Sequence, residues 1–550
     1  MAIGQVERVG LLTGSLPGAA SAALRRGVFG AVLTLVSLAL VPLLAAPPFL
    51  ELDETGHVAY GVAVSEGRLP SITEPADTGM PTQRDIAQRH GAQPPLYYVL
   101  IAPIVGAGSG SDAWAASVRG ARAVSLLSSV VTVVATAAIA GLLVRRRRAE
   151  TMVLAAGLTT SLALFVGISA FVRNDSLSLA GAAVALVGAF AALQRGPAPR
   201  WVALACLGSA WTMASRFNGV ILVGLVALAL ASSGYLWSAG SALARAGRAA
   251  LLGALPVASV IATSGWFYWR NYRLYGDITS SARQLELAGN PESSVSLGRW
   301  LLEPTAVPTV LLGAQGGHSW ASNLFSPVED ALLIAALVLV ASGAARRLRS
   351  GWADRRAARR PEPGDGEDSD GEVGDGGDSD AGTAARRSRL VTLLICVALP
   401  LSAWYQLSLW VSYGGTPLSR YLLVALPVLA TGAAAACLGH PGAMGRLVGL
   451  FVVSLQATFA VLWIGRWLGF RWPDASGKPL TDLVDALDRA GMPRPGLVLV
   501  LLAAGAAAGI ILQAVALWSL GRRDVGPGID GQGDGASLLG GPPAVEPLAT

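Results

Sequence analysis

The sequence predicts an all-α polytopic membrane protein with about twelve transmembrane helices, and three observations carry the prediction. Of 550 residues, 53% are hydrophobic and 14% charged, against roughly 25% charged in an average soluble domain. The mean hydropathy is +0.53. Twelve stretches, most near the roughly 18 residues needed to span a bilayer, contain no Asp, Glu, Lys or Arg. So much apolar surface exceeds what a water-soluble core can hide, which excludes a soluble multidomain enzyme, a disordered chain, a collagen-like fibre and a small disulfide scaffold.

In chain order the spans fall near 28–50, 123–144, 151–172, 176–193, 201–215, 218–236, 251–269, 331–345, 390–411, 421–439, 447–465 and 496–520. The apolar stretch from Pro94 to Ala107 is short of the hydrocarbon thickness at about 1.5 Å per residue. It is expected to be a juxtamembrane or re-entrant segment. Leaving it out and placing the N-terminus inside puts RRRR at 145–148 and GRR at 521–523 on the cytoplasmic side, in short loops where the positive-inside bias acts. The expected organisation is a cytoplasmic N-terminus (1–27), a transmembrane domain (28–522) and a disordered cytoplasmic tail (523–550). Within the domain lie external loops at 51–122 (with juxtamembrane helices), 270–330 and 466–495, and a disordered acidic and basic cytoplasmic loop at 346–389. The expected location is the plasma membrane, with the active site on the external face.

The net charge of +6 suits membrane topology rather than nucleic-acid binding, so no nucleic-acid partner is expected. Cys206, Cys396 and Cys437 sit in apolar runs without metal-ligand spacing and read as small core hydrophobes. The acidic run DSDGEVGDGGDSD lacks the ligand alternation of an EF-hand loop and reads as a solvated linker. His318, in GGHSW, reads as an ordinary loop histidine.

Chemistry concentrates on the outer side. FLELDETGHVAY places Glu51, Asp53, Glu54 and His57 at the end of the first span. Carboxylates so close to hydrocarbon are costly unless hydrated or paired, and neighbouring like charges raise a pKa toward that of a general base. An ordinary hydrated loop start is the alternative. Two adjacent carboxylates also admit a divalent cation as cofactor, without specifying one. Arginines end several spans on the side that the positive-inside bias disfavours: Arg173 with Asp175 in FVRNDS, Arg216 in SRFNG, Arg270 and Asn271 in WRNYRLYGD, Arg420 and Tyr421 in GGTPLSRY, and Arg466 in GRW. Each alone reads as an interfacial anchor. Together they suit phosphate or pyrophosphate oxygens, which guanidinium forks bind well.

LDETGHVAY at the end of the first span, QPPLYYVL some thirty residues later, Ala121-Arg122 before the second full span, RNYRLYGD and the late SRY together resemble the polyprenyl-phosphate-dependent glycosyltransferases of the GT-C fold. That group includes protein O-mannosyltransferases and the aminoarabinose transferase of lipid A. The resemblance spans residues 28–470. It implies a GT-C-like architecture, Asp53 as base or metal-associated carboxylate with Glu54 as companion, and substrate contacts from His57, Gln93 and Tyr97 together with the outer arginines. The chain departs from the aminoarabinose transferases at Gly56, where they carry Arg, and at Gln93, where they carry Lys. Phosphate contacts made there by relatives would fall to other arginines, such as Arg270 or Arg420.

The expected function is transfer of a sugar from a polyprenyl-phosphate donor to a glycan, lipid or protein acceptor outside the membrane, with inversion. A transporter or lipid-linked-glycan flippase is the alternative by mechanism. Such proteins place ionisable groups at the midplane and break helices there, whereas all twelve spans here lack acidic and basic side chains. A non-catalytic assembly protein of envelope glycan synthesis is the third class.

Overall fold

The computed structural model describes residues 18–50, 53–80, 88–287, 296–301, 327–357, 377–412, 419–470, 476 and 478–522. Glu51, His318 and the tail from 523 lie outside them, as does most of the acidic run. Among the described residues every regular element is a helix. In order it forms α1 (Gly18–Ala45), α2 (Glu54–Ser65), α3 (Leu96–Gly108), α4 (Trp114–Leu143), α5 (Arg148–Ser161), α6 (Ala163–Ala170), α7 (Asn174–Arg195), α8 (Pro199–Ser215), α9 (Val220–Leu236), α10 (Ala242–Val260) and α11 (Trp266–Tyr275). There follow α12 (Ser281–Leu287), α13 (Leu297–Leu301), α14 (Pro327–Ala357), α15 (Gly377–Ser412), α16 (Leu426–Cys437), α17 (Met444–Phe470), α18 (Pro479–Arg489) and α19 (Pro495–Gly521).

Nine of the described helical segments are long and apolar enough to cross a membrane, or ten with one bent pair. The expected spans at 201–215 and 331–345 lie in α8 and α14, outside those nine. Side-chain contacts sort the loops into two ends. At one end Arg420 meets Asp53, Arg216 meets Asp175, Arg270 meets Leu69 and Arg119 meets Ala490. At the other, Glu150 sits between Arg147 and Arg446, Arg347 donates to Ala435 and Trp237 to Leu193.

The expected single span at 151–172 is instead two helices, α5 and α6, meeting at 65°. Leu162, between them, is extended (φ −68°, ψ 119°). Just before it, the hydroxyls of Thr159, Thr160 and Ser161 donate to Ala155 O, Gly157 O and Gly157 O, each at 2.9 Å; side-chain bonds of this kind favour a bend. The loops also begin later than expected. α14 runs on through an Ala- and Arg-rich segment to Ala357 and α15 starts at Gly377, so both ends of the 346–389 loop are helical, in keeping with the high helix propensity of Ala and Arg. Residues 270–275 likewise complete α11.

The core is closed by α1 against α19. A Cβ on Gly30 would stand 2.5 Å from Gly509 O and 2.9 Å from Leu512 Cβ, and one on Gly509 would stand 2.5 Å from Gly30 O. With no hydrophobic driving force between helices in lipid, such close backbone approach is what holds them. Gly509→Leu should therefore lower the thermal unfolding midpoint in detergent, by overpacking worth about 1–3 kcal/mol. Gly224→Leu, on an exposed face with open space around it, should leave the midpoint unchanged.

Candidate active site

The segment that follows α1 is fastened by a buried ion pair. Arg122 of α4 and Glu54 at the start of α2 are both fully buried. The guanidinium donates to Glu54 Oε1 (2.8 Å) and Oε2 (2.7 Å), and also to the carbonyls of Leu43 (2.9 Å), Ala46 (2.7 Å) and Pro47 (3.0 Å) that end α1. Glu54 further accepts from the backbone N–H groups of Phe49 (2.9 Å) and Val172 (3.2 Å). One carboxylate thus ties together the end of α1, the start of α2, α4 and the junction between α6 and α7.

Four donors fill the acceptor sites of Glu54, which leaves it no free lone pair for a proton or a cation. The expectation that Glu54 shares a base or metal role with Asp53 meets this geometry as a correction. Among the described residues, no three of His, Cys, Asp and Glu converge as a metal site.

Asp53, one residue earlier, flanks α2 and turns the other way. Its Oδ2 accepts from Arg420 Nη1 at 2.7 Å, and 31% of its side chain remains open. Burial pushes its carboxyl upward, but the positive charge of Arg420, then Arg173, outweighs burial and holds it well below the usual carboxylate range. It is ionised at neutral pH. Beside it, at the start of α7, Asp175 pairs with Arg216, whose guanidinium lies 5.3 Å from the Tyr421 ring centroid. Arg420 lies 5.9 Å from the same ring.

These groups form the mouth of a cleft between α7, the short turn at 217–219 and the turn Ser419–Ala425. It encloses about 390 Å³ of empty space, open solvent at its mouth included. Asp175, Arg216, Asn218, Arg420 and Tyr421 make its polar rim, and Leu179, Ala182, Leu423 and Val424 its apolar wall. Buried nitrogens Arg216 Nε and Arg420 Nε have no hydrogen-bond partner among the described residues.

Behind Asp53 lies an aromatic stack. His57 Nδ1 is 2.9 Å from Tyr98 Oη, the His57 and His90 rings stack at 3.9 Å, and Tyr98 stacks on Tyr60 at 3.8 Å. Burial, then the neighbouring His90, pulls His57 well below the ordinary histidine value. Burial pulls His90 down to about 4, so both rings are neutral at pH 7. The reason for Gly56 is now visible: a Cβ there would stand 2.5 Å from His90 Cδ2. The imidazole occupies the space that a side chain at 56 would need. Gly56→Ala should displace His90 toward water and raise its pKa from about 4 toward the ordinary value near 6.5. With four histidines in the chain, a histidine-labelled NMR titration resolves the change.

Of the residues marked from sequence, the structure brings together Asp53, His57, Arg173, Asp175, Arg216, Arg420 and Tyr421. It places four others in the scaffold. Arg270 Nη2 donates to the carbonyls of Leu69 (3.0 Å) and Pro70 (2.9 Å), and Asn271 Nδ2 donates to Ala92 O (3.0 Å). With Tyr275 Oη accepting from Ile72 N–H (3.1 Å), the RNYRLYGD segment clasps the first loop from behind. Backbone thus takes one nitrogen of the Arg270 fork, Nη2, while Nη1 is buried without a hydrogen-bond partner among the described residues. Tyr97 Oη meets Ser125 Oγ at 2.8 Å, and the Gln93 carbonyl accepts from Tyr60 Oη at 3.0 Å. His90 and Tyr98 were not singled out from sequence, whereas Asn218 was marked beside Arg216 in SRFNG and Arg122 only as part of the resemblance. The available signal for His90 was its pairing with a glycine at 56.

Fold and site define an all-helical, multi-span membrane protein with a carboxylate–guanidinium cluster at the mouth of an apolar-walled cleft. No protein-family model matches the chain, and no curated protein matches it. Among solved structures it is similar to ArnT from Cupriavidus metallidurans bound to undecaprenyl phosphate, at 15% identity and a TM-score of 0.46, over 90% of this chain and 78% of that one. It is similar also to the apo state of that protein, at 14% identity and a TM-score of 0.46, over 90% and 77%.

Proposed function

We propose that this chain is a membrane glycosyltransferase that moves a sugar from a polyprenyl-phosphate donor to an acceptor hydroxyl on the external face of the plasma membrane. The observation that carries this is the Asp53–Arg420 contact of 2.7 Å at the rim of a cleft whose wall turns apolar. Guanidinium groups above an apolar groove match a phosphate on a hydrocarbon chain. The LDETGHVAY and QPPLYYVL motifs point the same chemistry toward sugar transfer.

The donor phosphate competes with Asp53 for Arg420. Once Arg420 turns to the phosphate, Asp53 loses its strongest attraction and its proton affinity rises, which fits it to act as a base. Asp53 then takes the proton of the acceptor hydroxyl while that oxygen bonds to the anomeric carbon. The anomeric C–O bond to phosphate breaks, and polyprenyl phosphate leaves from the opposite face with its charge offset by Arg420 and Arg216. Single inversion turns a β-linked donor into an α-linked product. Glu54 acts through Arg122 as a positioning residue.

A broken span is also how secondary transporters build substrate sites, and the 65° break is the observation on the side of a glycan flippase. No ionisable side chain, however, lies at residues 159–165; the hydroxyls there bond within α5, with Ser161 Oγ also meeting Gln456 Oε1 at 2.9 Å.

Arg420 supplies the test. Arg420→Ala should lower the transfer rate about 100- to 1,000-fold, the usual cost of one preorganised donor, with partial rescue by Arg420→Lys because lysine lacks the planar fork. In the alanine variant the acid limb of kcat/KM, which reports the free enzyme, should move to higher pH, because Asp53 loses the charge that lowers its pKa. Wild-type rates and an unmoved acid limb would reject the reading.

A further inference from the structure

At the opposite end of the bundle from Asp53, two arginines flank one tryptophan, and a third acts electrostatically on one of them. Trp201, the third residue of α8, is 4% exposed. The guanidinium carbons of Arg195 and Arg200 stand 5.5 and 4.9 Å from its ring centroid. Arg148, at the start of α5, is close enough to act electrostatically on Arg195, as Arg200 does. Among the described residues no carboxylate pairs with any of the three, and the buried Arg148 Nε has no hydrogen-bond partner. The neighbouring arginines differ: Arg147 and Arg446 share Glu150, and Arg347 donates to the Ala435 carbonyl.

Three like charges drawn together without an acid repel one another, and Arg148 also stands at the positive end of α5, where the helix dipole disfavours a cation. An anion resting between them would relieve both costs. The turn that presents Arg195 and Arg200 is Gly196-Pro-Ala-Pro199, stiffened by two prolines, and a second indole, Trp237, closes its other side by donating to Leu193 O at 2.8 Å. Toward the membrane the same helices expose apolar side chains, Leu207 on α8 at 60% and Leu228 on α9 at 54%. Interfacial tryptophans above an exposed apolar helix face mark headgroup depth.

We propose that Arg148, Arg195 and Arg200 bind the phosphate of an anionic lipid headgroup in the leaflet at this end, with the acyl chains lying along α8 and α9. The site is separate from the cleft at Asp53 and does not depend on the function proposed there.

The test titrates purified full-length protein in detergent with phosphatidylglycerol, with phosphatidylcholine as the neutral lipid, and reads lipid retention by native mass spectrometry. At about 1 kcal/mol per arginine near an anionic surface, the Arg195→Gln/Arg200→Gln double variant should bind phosphatidylglycerol about 30-fold more weakly. Arg245→Gln/Arg248→Gln, with the same charge loss at the same end but on arginines partnered by Tyr235 O and Ser238 Oγ, should bind as the wild type does. Both arginines of the first pair are exposed, so the thermal midpoint should be kept. Should that variant fail to fold, Arg195→Lys/Arg200→Lys retains the charges and should retain most of the affinity. Equal weakening in the two glutamine variants, equal retention of phosphatidylcholine, loss of binding in a folded lysine variant, or displacement of the lipid by millimolar inorganic phosphate would each overturn the proposal.

Discussion

Asp53→Asn should abolish sugar transfer while leaving a folded protein that still binds its donor. A sugar hydroxyl is a poor nucleophile, and a carboxylate positioned to take its proton is worth about 100- to 10,000-fold. Asparagine keeps the size of the side chain and removes the base. It also frees Arg420 from the 2.7 Å contact with Asp53, so the donor no longer competes for the guanidinium. The expected signature is a split: kcat falls by that factor, whereas the donor KM stays level or falls. Assays over a range of donor concentration check the split, and a wild-type kcat in the variant would remove Asp53 as the base.

Arg122→Ala should be the most damaging change to the fold. It leaves the buried Glu54 carboxylate without its counter-charge and strips the Leu43, Ala46 and Pro47 carbonyls of their donor. Removing one partner of a buried pair typically costs about 3–5 kcal/mol. Glu54→Gln should be costly too, because Phe49 N–H bonds to Oε2 and Val172 N–H to Oε1, and the single amide oxygen of glutamine can replace only one of the two. Its activity should fall in proportion to the folded fraction rather than by a catalytic factor. Thermal midpoints and monodispersity in detergent decide the matter, and an Arg122→Ala protein with an unchanged midpoint would show that the clasp is dispensable.

The contrast between Asp53 and Glu54 shows what sequence carries and what it does not. Hydrocarbon demands long charge-free helices, so the spans are legible as runs, and the clustering of Asp53, Arg173, Arg216 and Arg420 follows from which spans end on the same side. Adjacent residues at the start of a helix, however, point about 100° apart around its axis, so a neighbouring pair of carboxylates is the wrong geometry for shared work. Glu54 found its partner 68 residues away, in an arginine that sequence placed merely before a span. The break at Leu162 was hidden because a charge-free window says nothing about where a helix bends. Arg270 looked like the other outer arginines, and its commitment to Leu69 and Pro70 is a tertiary fact. Gly56 stood out as a departure, and its cause, the ring of His90, lies 34 residues on.

The most direct measurement of the central claim is a structure of the protein with undecaprenyl phosphate bound. The account predicts the phosphate within hydrogen-bonding distance of Arg420 and Arg216, the isoprenoid chain along Leu179 and Leu423, and the Asp53 carboxylate released from Arg420 toward the acceptor side. A phosphate bound elsewhere, with the Asp53–Arg420 contact intact, would contradict it.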